Sequence, residues 1–185
     1  MEELKRYRNS FILLTLICAA GLLCGLYLYQ YTDFFESVNK DMAPLPGFVF
    51  DARQVLDLFF SEAKVTLVLF ILGFTLLSPY ASSVMLLYKG FMSGFCTVCY
   101  GLYYQSGSIS KRCFLALSAS LILILIIYII VGAKAMAFSG SLKYASPDFR
   151  SILKRKQTGR YLTAYLMLTV FLLLAVTLRY SAALL

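Results

Sequence analysis

The chain reads as an all-α, polytopic integral membrane protein with about five transmembrane helices. Three observations predict this. The 185 residues are 61% hydrophobic and only 14% charged, whereas soluble domains average about 45–50% and about 25%. The apolar residues gather into runs near or above the roughly 18 residues that mark a membrane helix. All nine acidic residues fall between or before these runs.

The first run, 11–29, follows a short charged start with Lys5, Arg6 and Arg8. At about 1.5 Å per residue it spans about 28 Å, the hydrocarbon thickness of a bilayer. It leads into Tyr27, Tyr29 and Tyr31, an aromatic interface belt rather than a small-residue cleavage site, so a retained first helix is expected.

The segment 31–63 is the first long polar stretch and holds Asp33, Glu36, Asp41, Asp51, Asp57 and Glu62. Pro44, Pro46 and Gly47 break regular structure within it. Asp51 and Gln54 have capping-box spacing, and Val55, Leu56, Phe59 and Phe60 follow. This predicts an amphipathic helix over 51–63 at the membrane surface, or else an early start to the next span.

The second run covers 64–78 with Gly73 at its middle, and Pro79 marks its end. A short connection leads to the third run, 84–104, so the two form an antiparallel hairpin. Gln105 to Ser110 is a polar turn, and 113–133 is the fourth and most hydrophobic run. The basic loop 134–160 carries seven Lys or Arg against Asp148 alone. Within it Ser146-Pro147 suits a helix start, and Gly159 suits a helix end. Arg150, Lys154, Arg155 and Lys156 interleave with Phe149, Ile152 and Leu153. That pattern fits either a lipid-facing amphipathic segment or a plain topology signal. The fifth run is 161–178, closed by Arg179 and Tyr180.

Counting Lys and Arg near helix ends divides them 11 to 6 on the five-span plan. The N-terminus and the 134–160 loop are thereby cytoplasmic, and the acidic loop and C-terminus outside. With the basic residues so placed, the net charge of +8 points to membrane lipids as partners, and nucleic acid is excluded. There is no histidine, no phosphate-binding loop and no acid in a predicted span, so a catalytic, cofactor or metal function is not expected. Cys96-x-x-Cys99 lacks a second pair or a histidine to complete a metal site, and reads as structural.

The third run carries the candidate functional residues. Gly90, Gly94, Thr97 and Gly101 are spaced 4, 3 and 4 apart and share one helical face, the pattern that admits a neighbouring helix closely. Gly73 is a further small-residue contact. That face serves packing within the chain, against the second helix for instance, or contact with a partner. Lys89 is the one charge well inside a predicted span. At about 8 Å along the helix from Val84, it is expected to snorkel to the cytoplasmic headgroups rather than serve a solute.

Lys89-Gly90-Phe91-x-x-Gly94-Phe95, after a tight hairpin, resembles the stage II sporulation protein M family. Phe70-Ile-Leu-Gly73-Phe is similar to that family's second helix. The resemblance covers about 64–101, and the five-span plan extends it. Family members often have asparagine before the second helix, where this chain has Ser61-Glu62-Ala63-Lys64. The resemblance implies a non-catalytic membrane scaffold that localises stage II sporulation proteins D and P, which remodel peptidoglycan, at the septal membrane during engulfment. The alternatives are a small transporter or permease subunit using Lys89, and a lone lipid-modulating protein resting on the basic loop.

Overall fold

The computed structural model describes residues 2–28, 52–107, 109–142 and 156–182. These form five α-helices: α1 (Glu2–Leu28), α2 (Ala52–Leu72), α3 (Ser78–Gln105), α4 (Lys111–Leu142) and α5 (Lys156–Ala182). The acidic segment 31–51 and the basic residues Arg150, Lys154 and Arg155 lie outside the described residues, as does Asp51 of the capping box.

Helix directions follow from which residues meet. Gly90 and Gly94 of α3 lie against Cys18 and Leu22 of α1, so these two helices run parallel. Tyr161 of α5 stacks on Phe70 of α2 and Phe138 of α4, while Arg179 near its other end reaches Glu62. Successive helices therefore alternate in direction, as a chain crossing and recrossing one layer would.

The five-span expectation needs correction. Among the described residues three helices are long and apolar enough to cross a membrane: Arg6–Leu28, Lys111–Gly140 and Thr158–Arg179, which fits a membrane protein. At 21 and 28 residues, α2 and α3 have the length but not the composition. Arg53, Asp57, Glu62 and Lys64 charge α2, and glycines, serines, tyrosines and Lys89 dilute α3.

The interior is built around α4, which packs on all four other helices. Its run from Leu121 to Val131 is apolar on every side: Ile124, Leu125, Ile127, Tyr128 and Val131 are buried in the bundle, while Ile122, Leu123 and Ile126 are exposed, as in a membrane-spanning helix. Tyr128 at its middle is 1% exposed, and Leu14, Leu69, Leu86, Leu172 and Val176 from the other helices close on it.

Of the two readings of 51–63, the early start to the next helix is the one found, since 52–63 is the first half of α2. Val55, Phe59, Glu62, Thr66 and Leu69 are spaced 4, 3, 4 and 3, and this one stripe runs without interruption into the apolar half. Pro79 begins a helix rather than ending one, and occupies the first turn of α3, where its missing N–H costs nothing. Gly159 lies inside α5. In the turn after α3, Gly107 adopts φ 75°, a left-handed conformation that favours glycine.

Candidate functional site: an ion cluster between four helices

The α3 helix presents two working faces about 100° apart. The first is the glycine face. A side-chain carbon on Gly90 would strike the Cys18 carbonyl oxygen, and one on Gly94 the Leu22 carbonyl oxygen. The α1 helix reciprocates, for carbons on Gly21 and Gly25 would strike the carbonyl oxygens of Leu87 and Phe91. Gly21-x-x-x-Gly25 and Gly90-x-x-x-Gly94 thus interlock, backbone to backbone, which only glycine at all four positions allows.

This glycine face is therefore filled from within the chain, by α1 and not by α2. Gly101 has nothing within 4 Å of where its side chain would be and takes no part. Thr97 turns its hydroxyl back to donate to the Ser93 carbonyl at 2.8 Å. Gly73 leaves room for Tyr161, whose hydroxyl donates to the Phe70 carbonyl at 2.9 Å.

The second face carries Ser78, Ser82, Lys89, Cys96 and Tyr100, spaced 4, 7, 7 and 4, which is again one stripe. At its centre Lys89 Nζ donates to Glu62 Oε2 at 2.8 Å. The Tyr128 hydroxyl donates to the same oxygen and lies 3.4 Å from the Glu62 main-chain oxygen. Arg179 Nη1 stands 3.7 Å from Glu62 Oε1, and its Nη2 donates to the Tyr100 hydroxyl at 3.1 Å. Lys89 Nζ also sits 5.3 Å from the centre of the Tyr128 ring, within cation–π range.

One carboxylate thus gathers a cation from α3, a cation from α5 and a hydroxyl from α4. The exposures are low, 14% for Glu62 and 22% for each cation. At such burial neither charge stands alone cheaply, and removing one partner of a buried pair costs about 3–5 kcal/mol.

The expectation that Lys89 snorkels to headgroups is overturned, since it is bound sideways to an acid. That expectation places Glu62 with the external acids of 31–63, on a surface helix or at the start of the next span, and leaves Lys89 no acid within a span to pair with. Helix α2 begins before Glu62 and carries it to mid-helix. Sequence reasoning also missed Tyr128, Arg179 and Tyr100 as members of the cluster. Of the cysteines, Cys96 and Cys99 are unlinked thiols within α3. Among the described residues no group of three or more His, Cys, Asp or Glu is placed to hold a metal ion.

With this geometry in hand, comparison with known proteins is informative on one point. A family model described as Stage II sporulation protein M matches residues 11–178. Neither a curated protein nor a solved structure matches the chain.

Proposed function

This chain belongs to the stage II sporulation protein M family, and we propose that it acts as a non-catalytic membrane scaffold. In this reading it anchors or localises peptidoglycan-remodelling proteins, stage II sporulation proteins D and P, at the septal membrane during engulfment. The N-terminus is cytoplasmic and the C-terminus outside, as the Lys and Arg distribution implies.

One observation carries the reading. Lys89, the charge at the middle of α3, is held by Glu62 at 2.8 Å and ties α3 to α2. The polar interior is spent on holding helices together, which a scaffold needs. Since α1 occupies the glycine face, partner contact falls to other surfaces. The exposed apolar side chains of α1 and α5, such as Leu16, Leu23, Met167 and Val170, face lipid or another membrane protein.

The test is complementation in an endospore-forming host deleted for its own family member. Tagged proteins D and P should return to the septum when this chain is expressed. If they stay dispersed while the chain itself reaches the septal membrane, the scaffold reading is wrong. The polar stripe on α3 favours a second reading, a transporter or permease subunit. Vesicles holding the purified chain that pass ions and small solutes no faster than empty vesicles would eliminate it.

A further inference from the structure

We propose that the seam between α2 and α3 is an oxyanion site, in which Lys89 and Arg179 bind a phosphate group. The proposal stands apart from the scaffold reading and rests on charge, donor count and access.

Charge comes first. Glu62 contributes −1, and Lys89 and Arg179 contribute +1 each, so the cluster carries one uncompensated positive charge. Among the described residues helices α3, α4 and α5 contain neither Asp nor Glu, and the other acid of α2, Asp57, is exposed and about 140° round the helix from Glu62. An isolated charge at low exposure is costly, so an anion that joins it gains more than it would in water.

Donor count points the same way. An ammonium has three N–H donors and a guanidinium five. Among the described residues Lys89 makes one hydrogen bond, to Glu62, and Arg179 makes one, to Tyr100. The Arg179 approach to Glu62 at 3.7 Å is an ion pair beyond hydrogen-bond length. Its planar fork is left with donors that match two oxygens of a phosphate.

Access is provided by the packing. Helix α2 rests mainly on α4 and α5 and only slightly on α3, so the ion pair bridges two helices that are loosely packed on each other. Both cations remain 22% exposed. Arg179 ends the apolar stretch Thr158–Arg179, and basic residues at the ends of such stretches are the ones that meet phospholipid phosphates. The phosphate can belong to a lipid headgroup or arrive free, and the chemistry at the two cations is the same.

The experiment uses the full chain in nanodiscs of phosphatidylcholine, alone or with phosphatidylglycerol. Native mass spectrometry counts retained phosphatidylglycerol, and thermal unfolding is followed with inorganic phosphate or chloride at equal ionic strength. Retention without a phosphate effect identifies a lipid source, and phosphate stabilisation in pure phosphatidylcholine a soluble one. Either supports the site. Arg179→Gln should weaken binding about tenfold, the loss of one charge-assisted bond.

Glu62→Gln removes the competing carboxylate and should tighten binding by about the same factor. That gain is expected even though the helix contact is weakened, which separates a binding site from a merely structural network. The proposal is overturned if wild-type chain prefers neither phosphatidylglycerol nor phosphate. It is equally overturned if Glu62→Gln and Arg179→Gln shift binding in the same direction.

Discussion

The interlock of α1 and α3 offers the sharpest test of the fold. Consider Gly94→Ala. The added carbon would meet the Leu22 carbonyl oxygen, with the carbonyl carbon at 3.1 Å and Cα at 3.2 Å. These are backbone atoms of a helix, so no side chain can swing aside. Restoring ordinary contact needs α1 to retreat by roughly 1 Å, and a gap of that size forfeits about a quarter to a half of each dispersion contact across the seam. Overpacking of this kind costs about 1–3 kcal/mol. Because one retreat relieves both clashes, Gly90→Ala and Gly94→Ala together should cost less than their sum. Gly101→Ala is the control, for it meets nothing within 4 Å and should gain about 0.5–1 kcal/mol from helix propensity. The assay is reversible unfolding in mixed micelles with a graded fraction of denaturing detergent. If Gly90→Ala and Gly94→Ala unfold with Gly101→Ala, the interlock is not what holds α1.

Other predictions follow from the polar contacts. Lys89→Met strips Glu62 of its hydrogen-bonded cation and should destabilise by about 3–5 kcal/mol; Glu62→Leu combined with it should cost clearly less than the two singles added, read by the same unfolding assay. Tyr128→Phe removes a hydroxyl donor from the Glu62 carboxylate, a loss of about 1.5–3 kcal/mol, whereas an unchanged midpoint would mean that bond is idle. Gly73→Ala should cost about 1–3 kcal/mol, since the Tyr161 ring carbon stands 2.9 Å from where the new methyl would be. In a Tyr161→Phe background the penalty should shrink, because the hydroxyl nearest that methyl is gone.

How much of this was legible beforehand depends on the residue. All five helices could be read from their apolar runs, and the glycine face of α3 from its spacing. The partner of that face was legible too, since Gly21-x-x-x-Gly25 repeats the same pattern in α1. Glu62 was missed as a partner of Lys89 because it falls in the 51–63 helix, before the second apolar run rather than inside a span. The stripe of Val55, Phe59, Glu62, Thr66 and Leu69 passes straight through it, and hydrophobic period, followed past the acid, places it on the buried face. Arg179 was not recoverable in this way. Its position at a helix end is equally that of an interface anchor, and only the approach of α2 and α5 makes it a member of the cluster. Three-dimensional neighbours that share no sequence period leave no trace in spacing.

The departure from a simple hairpin explains why charges sit inside this bundle. Only residues 73–77 separate α2 from α3, which forces the helices together at that end. Beyond it they diverge, α3 drawn onto α1 by the glycine interlock and α2 leaning on α4 and α5. Apolar side chains cannot span a widening seam without leaving a void, and a void forfeits contacts on both sides. Two long charged side chains can. Glu62 and Lys89 meet about 15 Å from the connection, measured along either helix, and fasten α2 to α3 where packing no longer does. The two faces of α3 are then one device: the glycines pull the helix away from its sequence neighbour, and the lysine ties that neighbour back.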